Sequence, residues 1–427
     1  MTDRSDADER STDEPPSIAP ETLADRLRSG DDLTVLDVRD RDEFERWHLE
    51  GEGIEAVQIP HMKFIQAQAT GGVIDLVADL GEPIVAVCGR GEASAYAVGL
   101  LREAGVDAAN LAGGMDAWAD LYLARELEVD APATVVQYDR PSSGCLSYAI
   151  YSNGEVAVID PLRAFADRYV DDAADRNATI EYAIDTHVHA DHVSGVRTLG
   201  DRAGAESVVP VGATDRGLAF DASTVEHGDE LRIGDATLTA VATPGHTTES
   251  VSYRLGDLLF TGDTLFLEGV GRPDLEESAA QRAADSRVAR DSKSSSNRAS
   301  GPEAREQTVK PRDGDEGAAD IARELYETLR DRLESVPNTT TIAPGHYSPA
   351  AEPQGNGTYT ARLGALRERL EAFSMDEAAF VERATSDLPP RPANHERIVA
   401  VNLGREEVDR ETAFELELGP NNCAVAD

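Results

Sequence analysis

From Ala19 to about Leu123, short apolar runs alternate with stretches whose apolar residues recur at helical spacing. Leu33-Thr34-Val35-Leu36-Asp37-Val38 and Ile84-Val85-Ala86-Val87 read as strands, and the second is apolar throughout, as a strand covered on both faces must be. The stretches from Asp42 to His48 and from Ala93 to Ala104 read as helices. Strands alternating with helices predict an α/β domain built on a parallel sheet, over residues 18–126. Residues 1–17 are rich in Asp, Glu, Ser and Pro, bury too little to offset ordering entropy, and are expected to form a disordered acidic tail.

After a short linker through Asp130 and Pro132 the pattern changes. Cys145 to Ile150 and Glu155 to Asp160 read as strands joined by Asn153-Gly154, a strong hairpin signal. Tyr182 to Asp185 reads as the end of a buried strand, and Val193 to Leu199 as helical. Thr237 to Thr243 is a strand, and Val251 to Leu255 pairs through Gly256-Asp257 with Leu258 to Thr261. Residues 278–317 hold hardly any large apolar residue and are expected to be a disordered insertion. Ile321 to Leu333 then reads as an amphipathic helix and Thr340 to Ile342 as a strand. A second domain is expected over residues 131–352, with a C-terminal extension, 353–427, packed on it.

Composition narrows the possible partners. The chain has 427 residues, enough for two or three domains, and a formal net charge of −41 from 81 acidic and 40 basic residues. Such a field repels phosphate, so neither nucleic acid nor an anionic membrane is an expected partner. Only Lys63, Lys293 and Lys310 are lysines. An acidic, Lys-poor surface is similar to those of salt-loving organisms, where molar salt shortens the Debye length to about 3 Å and quenches self-repulsion. No apolar run reaches the roughly 18 residues of a membrane span and Met1 to Ser17 is unlike a signal peptide, so a cytoplasmic location is expected. Cys88, Cys145 and Cys423 are odd in number and far apart, which implies no disulfide framework. Cys145 is expected to be a small buried apolar residue, and Cys423 has no assigned chemistry.

The candidate chemistry lies in two loops. Thr186-His187-Val188-His189-Ala190-Asp191-His192 packs three imidazoles and a carboxylate between a strand and a helix, a density that points to metal binding. Further on, His246, Asp263 and His346 each follow a strand end, while His227 reads as a loop histidine without a role. If His187, His189 and His346 join Asp191, His192, His246 and Asp263, the set can hold two divalent ions sharing a hydroxide that attacks a thioester. If only His187, His246 and Asp263 bind, they form the two-histidine, one-carboxylate face that suits one Fe²⁺. Spacing leaves both open. The second loop, Cys88-Gly89-Arg90-Gly91-Glu92-Ala93-Ser94, turns tightly between a strand and a helix, where successive backbone N–H groups form a cup that favours a nucleophilic thiolate or a persulfide anion.

These motifs carry two resemblances. His187-x-His189-x-Asp191-His192, followed in order by Thr243-Pro244-Gly245-His246, Phe260-Thr261-Gly262-Asp263-Thr264 and Ala343-Pro344-Gly345-His346, resembles the metallo-β-lactamase superfamily and implies its αββα sandwich. Leu36-Asp37-Val38-Arg39 with Glu43-Phe44 and His48, the six-residue loop Cys88 to Ala93, and Asn110 to Gly114 with Ala117-Trp118 resemble the rhodanese family. That likeness implies a persulfide on Cys88, with Arg90 helping to hold anionic donors. Within the metal family, Gly269-Val270-Gly271-Arg272-Pro273-Asp274-Leu275, the Cys145 strand, Leu388 to Asn394 and Gly419 to Cys423 look like persulfide dioxygenases, whereas glyoxalase II enzymes differ in the first of these.

That resemblance implies one Fe²⁺ per chain on His187, His246 and Asp263, and a low-molecular-weight thiol persulfide oxidised by O₂ to sulfite and thiol. His189, Asp191, His192 and His346 would then orient the ligands. Arg272, with Asp274 beside it, would pair with the carrier thiol's carboxylate, and Cys88 would exchange sulfur between sulfite and thiosulfate. A homo-oligomer is expected. The alternative is a dinuclear zinc thioester hydrolase of the glyoxalase II type. A non-catalytic sulfur carrier would keep Cys88 loaded without metal-dependent turnover, against which the intact ligand set argues.

Overall fold

The computed structural model describes residues 15–51, 53–276, 314–348, 350–386, 388–418 and 423–426. Most of the tail expected at 1–17 and of the insertion expected at 278–317 lies outside these. What is described of each is ordered, since Ser17 opens a short strand and Gly314 opens a helix. The chain divides into two compact units, one ending at Leu121 and taking in Arg140–Ser143, the other comprising Tyr122–Asp139 and the chain from Gly144.

In the first unit β1 (Ser17–Ile18), β2 (Leu33–Asp37), β3 (Ile54–Gln58), β4 (Ile84–Val87) and β5 (Ala108–Leu111) form a sheet in the order β1-β5-β4-β2-β3. Every pairing is parallel, as the alternation of strands and helices predicted. The apolar strands β2 and β4 take inner positions and are buried along their whole length. Leu36, Phe64, Ala86, Val98 and Leu101 form the core with helices His61–Thr70 and Glu92–Glu103.

The second unit holds two sheets. The first contains β6 (Leu123–Leu127), β7 (Thr134–Arg140), β8 (Cys145–Ser152), β9 (Glu155–Ile159), β10 (Thr179–Ile184), β11 (Glu206–Pro210) and β12 (Ser223–Val225), in sequential order. The β8–β9 hairpin turns at Asn153 (φ 46°) and Gly154 (φ 82°), the left-handed pair that an Asn-Gly turn supplies. The first domain does not run to residue 126 as expected. Leu123–Leu127 pairs antiparallel with β7, from Leu123↔Asp139 to Leu127↔Val135, and so adds an edge to this sheet.

The second sheet contains β13 (Glu230–Ile233), β14 (Ala236–Ala242), β15 (Val251–Leu255) and β16 (Leu258–Gly262), while β17 (Gly269–Gly271) lies apart from it. After β16 come β18 (Thr341–Pro344) and β19 (Ala361–Arg362), giving the order β13-β14-β15-β16-β18-β19. The terminal β20 (Ala424–Ala426) pairs with β17.

Ile150 and Ile159 from the first sheet pack against Leu238, Tyr253 and Phe260 from the second, filling the space between the sheets. Helices Ala166–Asp175 and Val196–Ala203 cover the outer face of the first sheet. Helices Gly314–Glu327, Leu363–Arg369 and Glu377–Thr385 cover the second. The result is the expected αββα sandwich. Among the described residues no helix is long and apolar enough to cross a membrane.

Two buried polar groups set measurable stability terms. Gln137 Nε2 donates to Tyr359 O at 3.0 Å, and Gln137 Oε1 accepts from Tyr359 N–H at 2.8 Å, which ties the C-terminal extension to β7. Gln137→Leu strands both backbone groups at roughly 1–3 kcal/mol each, so denaturant unfolding should show a loss of that order. Glu268, between β16 and β17, is pushed up from 4.5 to about 7 by burial, which its own backbone, that of Ser348 and Arg369 only partly offset. A carboxyl raised on folding contributes stability that is full below the unfolded value and is lost as pH rises through about 7. Glu268→Gln should therefore exceed the parent by roughly 1–3 kcal/mol at alkaline pH, and the two unfolding curves should converge toward the unfolded value.

Candidate metal centre

All the candidate ligands emerge from one edge of the sandwich. The loop carrying His187 to His192 leaves β10; His246 follows β14, Asp263 follows β16 and His346 follows β18, the parallel neighbour of β16. Asp160, at the end of β9 with φ 50°, anchors the loop: its carboxylate accepts Thr186 N–H at 2.7 Å and Thr186 Oγ1–H at 3.0 Å. On the far side Glu249 Oε1 accepts Val188 N–H at 3.0 Å, and the buried guanidinium of Arg216 holds Glu249 at 2.5 Å. A methyl group on Gly271 would lie 2.0 Å from Asp263 O and 2.8 Å from His246 Cβ, so only glycine permits this approach of β17 to the ligands.

Three atoms converge at this edge. His187 Nε2 lies 3.9 Å and His246 Nε2 3.6 Å from Asp263 Oδ2, and all three are buried with no hydrogen-bond partner among the described residues. Their opposite atoms are all engaged. His187 Nδ1 meets Thr186 Oγ1 at 2.9 Å, His246 Nδ1 meets Arg272 O at 2.9 Å, and Asp263 Oδ1 meets His346 Nδ1 at 2.6 Å. Since Arg272 O can only accept, His246 carries its proton on Nδ1 and leaves Nε2 as a lone pair. Burial lowers the pKa of His187 and of His246, favouring the neutral rings a cation needs. Two imidazoles and a carboxylate with stranded lone pairs fit a divalent transition metal.

Each remaining motif histidine meets a carboxylate, while His189 Nδ1 and His192 Nε2 are likewise buried with no hydrogen-bond partner among the described residues. His189 Nε2 lies 3.1 Å from Asp160 and 3.6 Å from Asp185; burial and His192 push its pKa down, and these carboxylates outweigh them, holding it at about 9. His346 bridges Asp263 Oδ1 and Asp191 Oδ2, the latter at 2.8 Å through Nε2, and His192 Nδ1 meets the same Asp191 oxygen at 3.0 Å. Cys145 was expected to be only a small apolar residue. Its Sγ instead lies 3.5 Å from Asp191 Oδ2, and it forms with Asp191, His192 and His346 a second group whose ligand atoms lie within 4.8 Å of one another. Nothing in its local sequence marks this, because the bridge from Cys145 to His346 joins residues distant in the chain.

Arg272 is held inside the chain. Its guanidinium is 1% exposed, grips Asp274 through Nε at 2.6 Å and Nη2 at 3.1 Å, and donates to Pro390 O at 3.1 Å. The carboxylate it meets is the chain's own, two residues on, so it braces the loop rather than facing open space. Arg391, half exposed, meets Asp274 from outside at 2.9 Å. Cys423, to which no chemistry was assigned, packs with Ala190, Phe266 and Leu275, and its carbonyl accepts Arg272 N–H at 3.0 Å.

In the first unit Cys88 ends β4 and its Sγ accepts from Gly91 N–H at 3.1 Å, Ser94 N–H at 3.4 Å and Ser94 Oγ–H at 3.1 Å. The loop is seated on Gly114, where a Cβ would come within 2.3 Å of Cys88 O. Arg90 is exposed on the same loop.

A family model for the metallo-β-lactamase superfamily matches residues 141–346, and one for the rhodanese-like domain matches residues 19–121. The chain is 33% identical over 156 residues to the mitochondrial persulfide dioxygenase ETHE1 of Homo sapiens, covering 35% of this chain and 60% of that protein. It is 31% identical over 176 residues to that of Bos taurus, covering 40% and 68%. Thus the match spans less than two thirds of the human relative. Hydroxyacylglutathione hydrolase 1 of Vibrio vulnificus is 32% identical over 126 residues, 29% of this chain and 49% of that protein. Among solved structures, ETHE1 from Myxococcus xanthus is similar at 26% identity and a TM-score of 0.47, covering 66% of this chain and all of that one. On its match to the bovine relative, the chain belongs to the persulfide dioxygenase family of the metallo-β-lactamase superfamily, and carries a rhodanese-like domain ahead of the metallo-β-lactamase domain.

Proposed function

We propose that the protein is an iron-dependent persulfide dioxygenase whose rhodanese-like unit transfers sulfane sulfur. The observation that carries this reading is the convergence of His187 Nε2 and His246 Nε2 on Asp263 Oδ2, while His189 is paired with Asp160 and His192 and His346 share Asp191. Overall, RSSH + O₂ + H₂O gives RSH + SO₃²⁻ + 2H⁺. His187, His246 and Asp263 would hold Fe²⁺, which would supply the redox chemistry by which O₂ oxidises an anionic sulfur. The chain's own residues do the rest. Thr186 and the Arg272 carbonyl set the direction of the two imidazoles, and His346 holds a proton against Asp263 Oδ1, which directs Oδ2 inward. Phe266, Leu275 and Ala190 form an apolar cluster beside the centre that limits water.

At Cys88 a persulfide sulfur accepted from a donor RSS⁻ leaves RS⁻ behind. Attack by sulfite on that outer sulfur then forms the S–S bond of thiosulfate and releases the Cys88 thiolate, which Gly91 and Ser94 stabilise.

Iron-loaded protein should consume O₂ and release sulfite from a thiol persulfide, read with an oxygen electrode and a sulfite assay in high salt. His246→Ala should abolish both, by about a thousandfold or more, since an interaction present only in the loaded centre is lost. In the same assays Cys88→Ser should leave O₂ uptake intact and remove thiosulfate formation, and loss of O₂ uptake in that variant would contradict separate roles.

A second reading rests on the Cys145, Asp191, His192 and His346 cluster and on the similarity to hydroxyacylglutathione hydrolases, because these residues could take a second ion. A dinuclear zinc hydrolase should turn over a glutathione thioester under argon with about two zinc ions per chain, whereas the iron reading expects one iron and no such turnover.

A further inference from the structure

The metal loop is completed by chain lying beyond the matched sandwich, whose family model ends at residue 346. Val188 and Ala190 alternate with His187, His189 and Asp191, and each apolar residue packs on the C-terminal extension. Val188 meets Leu403, Ala190 meets Cys423, and Val193 meets Val401 and Ala413. The second half of the loop is buried, and backbone polar groups there need partners. Asn402, the last residue of helix His395–Asn402, supplies three: Nδ2 donates to His189 O at 3.0 Å and His192 O at 2.8 Å, and Oδ1 accepts Ser194 N–H at 2.8 Å. Glu417 Oε1 accepts Val193 N–H at 2.8 Å. Both side chains are buried, at 9% and 7% exposure, so water does not compete for these bonds.

We propose that Asn402 and Glu417 are positioning residues of the metal centre, holding the curvature of the loop from His189 to Ser194. This rests on the reading that His187, His246 and Asp263 bind a metal ion. The route is continuous: Asn402 grips the carbonyl of His192, Asp191 beside it meets His346, and His346 meets Asp263 Oδ1. Releasing the clamp lets Asp191 drift, frees His346, and loosens the carboxylate whose other oxygen is a ligand. Groups that orient metal ligands act in this way on affinity as well as on rate.

The test uses the full chain loaded anaerobically with Fe²⁺, with chelator competition for affinity, and with Co²⁺ for the ligand-field absorption. Asn402→Ala should bind metal at least about tenfold more weakly and shift the cobalt bands. Asn402→Asp, which keeps the acceptor for Ser194 and loses both donors, should do the same should the alanine variant fold poorly. Glu417→Ala should also weaken binding, while Glu417→Gln, which keeps the acceptor oxygen, should stay close to the parent. Asp409→Ala is the control: it removes the cap on Thr412 N–H, 2.7 Å, at helix Arg410–Leu416 without touching the loop, and should leave affinity and spectrum unchanged. Parental affinity and spectrum in both Asn402 variants, or equal loosening by Asp409→Ala, would overturn the proposal. Parental metal affinity in His246→Ala would instead sink the assignment of the centre itself.

Discussion

Two imidazole nitrogens and a carboxylate oxygen, all buried with no hydrogen-bond partner among the described residues, form the constraint on which the second unit depends. Burying such groups unpaired costs several kcal/mol, and a protein keeps them only where a cation compensates or where the surrounding fold overrules them. Here the fold does the holding. Asp160 adopts a left-handed backbone to reach Thr186, Gly271 admits β17 against Asp263, and the Arg272 carbonyl fixes the proton of His246.

The same constraint accounts for how the surplus ligand-type residues are used. His189 is drawn to Asp160 and Asp185, and Asp191, His192 and His346 form a hydrogen-bonded set that Cys145 joins. His346 is the pivot, because its two nitrogens reach carboxylates on both sides, one of them Asp263 of the trio. The centre's tendency to hold one ion or two is therefore a question of whether that imidazole serves as a hydrogen-bond bridge or gives up a proton to bind. In the first unit the physics is reversed in sign: Cys88 needs no cation, since backbone N–H groups and a hydroxyl already face its sulfur.

The C-terminal extension belongs to the site as much as the sandwich does. Gln137 anchors its beginning at Tyr359, Pro390 receives Arg272, Asn402 and Glu417 hold the metal loop, and β20 pairs with β17. Arg272 thereby becomes an internal brace, with its fork matched to Asp274.

The linear sequence by itself determined the order of elements, the parallel sheet of the first unit, the Asn153-Gly154 hairpin and the short list of ligand-type residues. Each of these rests on periodicity, turn chemistry or local density, which act over a few residues. Tertiary structure alone decided which nitrogen of each histidine stays open, that Arg272 meets Asp274, that Leu123–Leu127 joins the second unit, and that Cys145 meets Asp191. It also decided that Asn402 and Glu417 reach the metal loop. An asparagine ending a helix and a glutamate past another look like ordinary surface residues in the chain, and only the return of the extension across the sheet edge, more than two hundred residues after the loop, brings their polar atoms to its backbone.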